Sequence, residues 1–200
     1  FGASLDKIKQ VDKARSGEIM FGLNLVVYKG KTIFVGDTSV HEYPSSEQLA
    51  KIAISAARVV RLFGFDPKVA FVSHSTFGQP LTSRTKHIKD AVEILKEKNV
   101  NFEFDGDMQP DVALNEEYKS LYPFSKIVGN ANILVMPGQH SAAISYKMMK
   151  TLGDTKVIGP LLIGLGLPIE IAPLRSSTSE ILNLASIAAY SADVIDYKKN

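Results

Sequence analysis

Seven consecutive residues, Asp105-Gly106-Asp107-Met108-Gln109-Pro110-Asp111, bring three carboxylates and an amide into one short stretch. Carboxylates held that close can act as acid and base, or can cap the chain that comes next, and spacing alone does not separate the two roles. The stretch directly follows Val100-Asn101-Phe102-Glu103-Phe104, whose alternation predicts a short strand that Asp-Gly ends sharply. Polar groups at the C-terminal end of a strand are where open α/β sheets build ligand sites; a solvated turn rich in Asp and Gly is the plainer alternative. A second polar loop, Ser73-His74-Ser75-Thr76-Phe77-Gly78, follows the apolar run from Lys68 to Val72. Its hydroxyls and backbone N–H groups suit a phosphate, but it lacks the Gly-x-x-x-x-Gly-Lys spacing, and a hydrogen-bonded turn explains it equally well. His74 and His140 each follow a predicted strand, yet a metal centre needs three or more converging ligands, so no metal is expected. No Gly-x-Ser-x-Gly elbow is present, which argues against a nucleophilic hydrolase. The candidate ligand-binding residues are therefore Ser73, Ser75, Thr76, Asp105, Asp107 and Gln109.

The elements that would position these groups alternate along the chain. Leu5, Ile8 and Val11 predict a short amphipathic helix from Ser4 to Lys13. Runs from Ile19 to Tyr28 and from Thr32 to Val35, joined by Lys29-Gly30-Lys31, predict a hairpin. Ser45 and Gln48 are spaced as a capping box before a helix that Gly64 should stop. Strands are predicted from Lys68 to Val72, Val100 to Phe104, Asn132 to Met136 and Leu161 to Leu165. Between and after them, helices are predicted from Thr85 to Lys98, Asn115 to Leu121, Ser141 to Leu152, and onward from a second capping box at Ser177 to Glu180. Strands alternating with helices imply right-handed crossovers, a largely parallel sheet and a three-layer α/β/α architecture. The loops beginning at Ser73, Asp105 and Pro137 should then gather along one edge. We divide the chain into a hairpin-bearing segment (1–44), an αβ core (45–165) and a C-terminal helical segment (166–200). The last helix carries Ile181, Leu184, Ala185, Ile187, Ala188 and Val194, a broad apolar surface that should be buried on more than one side.

Composition narrows the function classes. A net charge of +2, from 23 basic and 21 acidic residues in 200, gives no footprint for nucleic acid or a membrane surface. No apolar run reaches the ~18 residues of a membrane span. The absence of cysteine excludes disulfides and thiolate metal sites and fits a reducing compartment, so a cytoplasmic location is expected. The chain opens at Phe1, and we expect it to be a portion of a longer polypeptide.

Ordered blocks add a resemblance. Asp37-Thr38, Pro44-x-x-Glu47-Gln48-Leu49-Ala50, Phe63-Gly64-Phe65-Asp66-Pro67-Lys68-Val69-Ala70 and Ser73-x-Ser75-Thr76-x-Gly78 are followed by Phe104-Asp105-Gly106-Asp107-Met108-Gln109. Asn130-Ala131-Asn132-Ile133-Leu134-Val135-Met136-Pro137 and Ile158-Gly159-Pro160-Leu161-Leu162-x-Gly164-Leu165 complete the series. In this order the chain resembles the phosphate acetyl/butyryltransferase family over nearly its whole length. Ser75-Thr76-Phe77-Gly78, Asp111-Val112-Ala113-Leu114-Asn115 and Tyr122-Pro123-Phe124 look most like the phosphotransacetylase-like domain fused to bacterial malic enzymes. The resemblance implies an isocitrate/isopropylmalate dehydrogenase-like fold, here incomplete at its N-terminus, and a homodimer or higher homo-oligomer.

One block departs from the family. Active members carry Asp-Leu-Ser-Arg-Gly-Cys after the Gly-Leu-x-x-Pro block, with the Ser and Arg meeting the thioester carbonyl and the phosphate. Aligned from Pro168, this chain reads Ile171-Ala172-Pro173-Leu174-Arg175-Ser176. Pro173 has no side-chain donor and Leu174 cannot pair a phosphate. Losing a preorganised donor costs ~100-fold or more in rate, so no catalytic residue is expected here; Arg175 and Glu180 would serve only if transferase activity survived. The resemblance implies a regulatory and oligomerisation domain that binds acetyl-CoA. An upstream malic-enzyme domain in the same polypeptide would decarboxylate malate to pyruvate with NADP or NAD and Mg or Mn. The alternative is a working phosphate acetyl/butyryltransferase.

Overall fold

The computed structural model describes residues 2–12, 14, 16–80 and 82–197, with the side chains at 83, 84 and 193–197 outside that description. The side chain of Val194 and the closing Lys198-Lys199 therefore fall outside the described residues. Six strands form one sheet in the order β4-β3-β5-β2-β1-β6. They are β1 Phe21–Tyr28, β2 Lys31–Gly36, β3 Lys68–Val72, β4 Glu103–Met108, β5 Ile133–Val135 and β6 Thr155–Ile163. β4, β3, β5 and β2 pair in parallel, while β1 is antiparallel to both its neighbours, β2 and β6. Five of six strands thus run one way, the largely parallel sheet the alternation implies.

Helices cover both faces. α2 Ser46–Leu62, α3 Ser83–Glu97 and α7 Thr178–Tyr197 lie on one side, where Ile52, Ala56, Ile88, Leu95 and Leu184 meet Leu23, Phe34, Phe71 and Ile133. α4 Pro110–Leu114 and α6 Gln139–Leu152 cover the other, where Val112, Ala113 and Ala142 meet Val26, Val35, Ala70 and Leu134. The alternation of strand side chains between these two clusters is the period-two rule at work in a doubly covered sheet. Phe34 is fully buried and has Phe63 and Phe65 within 6 Å of its ring; truncating it to Ala should cost about 3–5 kcal/mol. α1 Gly2–Val11 packs Leu5 against Leu162 and Leu165 at the end of β6, and α5 Glu116–Lys119 is a single turn.

Local signals set several boundaries. Ser45 accepts the Gln48 N–H while the Gln48 side chain accepts the Ser45 N–H, the capping box the spacing predicts. α2 then ends on Gly64 at φ +82, with Gly64 N–H donated to Arg61 and Phe65 N–H to Val60, a Schellman closure that only a left-handed residue completes. Lys29 and Gly30 both take positive φ, giving a two-residue turn matched to strand twist. Ser177 and Glu180 cap α7 reciprocally.

Two strands differ from expectation. β4 begins at Glu103, later than the predicted Val100, and runs on through Asp105-Gly106-Asp107 to Met108. Gly106 does not turn the chain. It lies opposite Phe71 in the β3 ladder, where an added Cβ would stand 2.7 Å from Phe71 Cβ and 2.8 Å from its carbonyl oxygen, so close approach, not reversal, requires glycine. β6 begins at Thr155, six residues before the expected start, and carries Gly159-Pro160 inside it. The pairs Leu23–Leu161 and Leu25–Ile158 leave Gly159 and Pro160 facing Asn24 alone, a bulge that accommodates a residue without an N–H. α7 also departs: among its described side chains Leu184 is the buried apolar one, whereas Ile181, Leu182 and Tyr190 are about half exposed or more.

Candidate functional site

Because β2, β5, β3 and β4 are parallel, their C-terminal ends share one edge. Residues 37–44, 73–78, 109–111 and 136–141 gather there, as the crossover argument requires. Backbone bonds stitch the loops together: Ser73 N–H donates to Met108 (3.0 Å) and Met136 N–H to Gly36 (2.6 Å). A cleft of about 800 Å³ opens at this edge, within the size range of small-molecule sites.

The cleft is lined by Glu42, Tyr43, Ser73, His74, Thr85, His87, Pro137, His140 and Ser141, among others. Three of the four histidines of the chain therefore face one cavity. His140 Nε2 lies 3.3 Å from Glu42 Oε1. Two helices begin beside it. α6 starts after Gly138 with no side-chain cap, so its first-turn N–H groups and positive dipole end favour an anion. α3 starts with a reciprocal Thr82–Thr85 cap, and Thr85 lines the wall. Gly138 sits so close to the Glu42 carbonyl that a Cβ would collide with it, which fixes the 41–44 loop against α6.

Of the six residues singled out from the sequence, Ser73 faces the cleft, and its hydroxyl lies 3.1 Å from that of Ser75. Ser75, Thr76, Asp107 and Gln109 form a tether behind it. Asp107, fully buried, accepts the Ser75 hydroxyl and the Gly78 N–H (2.9 Å). Gln109 donates its backbone N–H to Thr76 Oγ1 (3.2 Å) and its side-chain amide to the His74 carbonyl (2.7 Å). Asp105 is directed elsewhere, accepting the N–H groups of Gly106 (2.9 Å) and Lys126 (2.7 Å). Asp107 thus clamps the 73–78 loop, and neither it nor Asp105 lines the cleft.

Asp37 was legible only as part of a resemblance block. It is fully buried after β2 and accepts N–H groups from Gly22, Ser39, Val40 and His41 at 2.8–3.1 Å. His41 Nδ1 lies 2.7 Å from its second oxygen. Such saturation makes Asp37 the hub that shapes the loop leading to the cleft. His87 and Thr85 reach the site from α3, a helix whose sequence carried no site signal.

Away from the cleft, Pro173, Leu174 and Arg175 are exposed on the segment before α7. Glu180 bonds Lys150 Nζ at 2.8 Å and caps Ser177, and these partners pull its carboxyl down to about 2. A second cavity of about 350 Å³ lies among Ser55, Arg58, Leu161, Glu170 and Tyr190. Burial there pushes the Glu170 carboxyl up to about 8, against the Leu162 N–H it accepts at 3.1 Å.

Comparison with known proteins places this geometry. The sequence profile of the phosphate acetyl/butaryl transferase family matches residues 3–189. An NADP-dependent malic enzyme of Rhizobium meliloti is 43% identical over 96% of this chain, which spans 25% of that enzyme. A phosphate acetyltransferase of Bacillus subtilis is 32% identical over 92% of the chain, which spans 57% of it. A solved phosphotransacetylase from Streptococcus pyogenes superposes with a TM-score of 0.89 at 30% identity, covering 94% of this chain and 59% of that one. The chain thus spans about a quarter of its malic-enzyme relative and little more than half of the transferase. With the profile matched from the first helix into the last and the solved neighbour superposing over 94% of this chain, the chain belongs to the phosphate acetyl/butaryl transferase family.

Proposed function

We propose that this chain is an acyl-CoA-binding regulatory and assembly segment of a malic enzyme, without transferase activity of its own. One observation supports the reading: a cleft opens at the parallel edge of the sheet while Pro173 and Leu174 stand where the family resemblance would place a Ser-Arg pair. The cleft suits an acyl-CoA because histidines and two helix starts attract anionic oxygens while Pro44, Ile88 and Met136 supply apolar wall. The malic-enzyme relative supports the parent assignment, since this chain matches a quarter of its length. The parent would oxidise and decarboxylate malate. Its nicotinamide cofactor and divalent cation would be held by the upstream domain of the same polypeptide. A cytoplasmic setting goes with that reading; no helix among the described residues is long and apolar enough to cross a membrane.

Assembly has its own support. Ile144, Met148 and Leu152 form an i, i+4, i+8 stripe on α6 that is more than half exposed. A second copy covering it would form a symmetric dimer. Calorimetry with acetyl-CoA should show saturable binding that His74→Ala weakens, with no acetyl phosphate formed from acetyl-CoA and phosphate. Turnover abolished by Arg175→Ala would overturn the reading in favour of a working transferase. Light scattering should give a dimer that Met148→Asp dissociates.

A further inference from the structure

One histidine stands apart from the three that line the cleft and is held differently. Asp37 Oδ2 accepts the His41 backbone N–H at 2.8 Å and lies 2.7 Å from His41 Nδ1. Its other oxygen is occupied by the N–H groups of Gly22, Ser39 and Val40. An ionised carboxylate only accepts, so Nδ1 carries the ring proton and Nε2 keeps its lone pair. Asp37 is fully buried, whereas the His41 side chain is 18% exposed. Among the described residues Nε2 makes no hydrogen bond or ion pair, so that edge of the ring is open to a solvent molecule. The backbone bonds already close the loop; the contact to Nδ1 adds a fixed ring orientation and a fixed tautomer. An imidazole braced by a buried anion on one nitrogen and free on the other is a positioned general base.

His41 stands at the foot of the cleft wall. The next three residues, Glu42, Tyr43 and Pro44, line the cavity. The His41 carbonyl accepts the N–H of Gln139, the first residue of α6, at 3.0 Å. One hydrogen bond thus joins the histidine to the helix that begins beside the cleft. The N–H groups of His140 and Ser141 follow Gln139 and have no acceptor among the described residues, since α6 lacks a side-chain cap. A base and two backbone donors are therefore held together at one wall of the cavity.

Resting on the acyl-CoA reading of the cleft, we infer that this chain hydrolyses the thioester, with His41 as general base and Asp37 as its positioning residue. His41 Nε2 takes a proton from water as the water oxygen bonds to the thioester carbonyl carbon. The carbonyl electron pair moves onto oxygen, where the free N–H groups at the start of α6 meet the negative charge. That pair then returns, the carbon–sulfur bond breaks, and the leaving thiolate takes the proton from Nε2. A carboxylic acid and a free thiol result, and the imidazole is restored. Asp37 stays ionised throughout and balances the imidazolium. Water attacks directly, so the step needs neither a serine nucleophile nor the Ser-Arg pair that Pro173 and Leu174 replace.

The chain contains no cysteine, so a thiol reagent reads released CoA without background from the protein. In phosphate-free buffer acetyl-CoA should release thiol saturably, and isotope-labelled water should place its oxygen in the acetate. His41→Asn keeps an N–H donor for Asp37 and removes Nε2. It should lower turnover about 100-fold or more while acetyl-CoA affinity by calorimetry and thermal unfolding stay as in the parent. Asp37→Asn should move the rise of rate with pH to lower pH, a shift that loss of a loop brace alone would not give. Thiol release that survives in His41→Asn overturns the assignment of the base. Acetyl-CoA that binds without being hydrolysed overturns the activity and leaves the cleft reading standing. Release that requires phosphate points to a working transferase and overturns both. If acetyl-CoA does not bind, the cleft reading falls, and p-nitrophenyl acetate, which needs no nucleotide site, decides the rest: cleavage lost in His41→Asn upholds the base, and no cleavage removes it.

Discussion

The Ser75 hydroxyl is donated to the Asp107 carboxylate across the junction of β3 and β4, so a strand side chain dictates the path of the neighbouring strand's exit loop. Both residues are fully buried, and Asp107 also holds the Gly78 N–H. Asp107→Asn keeps the volume but sets an amide against one of these donors. It should cost on the order of 1–3 kcal/mol in urea unfolding, with Ser75→Ala at the lower end. Hydrogen exchange should locate the loss, with the Phe77 and Gly78 amides speeding up more than those of α2.

Gly138→Ala should damage the cleft more than the fold. The added methyl meets the Glu42 carbonyl, a backbone atom that can move only with the whole 41–44 loop. Acetyl-CoA affinity should fall by more than tenfold, while stability falls by about 1–3 kcal/mol. Unchanged affinity would show that the cleft does not need the α6 start in its present place.

Glu170 sets an alkaline dependence. With its carboxyl raised from 4.5 to about 8 by burial, the folded state holds one more proton than the unfolded chain between those values. Stability from this group is present below about pH 4.5 and is lost as pH rises through 8. Comparing pH 6 with pH 9, Glu170→Gln should lose less stability than the parent, by on the order of 2 kcal/mol after allowance for partial exposure.

Glu180 acts at the other end of the scale. Its carboxyl is lowered to about 2 by Lys150 and Ser177, so its contribution is full above 4.5 and disappears as pH falls toward 2. The side chain is one-third exposed, and Glu180→Gln should cost no more than about 1 kcal/mol at pH 7, less in high salt. A larger loss would mean that Lys150 and Glu180 brace α6 against α7 more strongly than a solvated pair can.

Local devices were the legible part of the sequence. Capping boxes at Ser45 and Ser177 and the Gly64 closure involve residues within one turn, so their spacing carries the whole signal. The parallel ladder was legible too, and with it the common edge of the polar loops. Gly106 and Gly159-Pro160 misled because glycine and proline punctuate turns in most contexts, whereas here they answer to a neighbouring strand that sequence order does not reveal. The site divides in the same way. That Ser73 and Asp107 would meet at one edge followed from topology, but which of them faces the cavity depends on the roll of a loop. His87 and Thr85 arrive from a helix whose own pattern says only that Ile88, Ala91, Val92 and Leu95 are core.

The lone antiparallel strand has a consequence for how the chain is made. β1 is synthesised well before β6, yet one of its two flanks is closed by that strand, with Phe21 facing Ile163 more than a hundred residues later. Until a ribosome has released that last strand, the early hairpin presents a row of unmatched amides and carbonyls, ready to accept a stranger. Any nascent chain interrupted before Ile163 should therefore depend on chaperones, and release of β6 should be the step that ends the dependence.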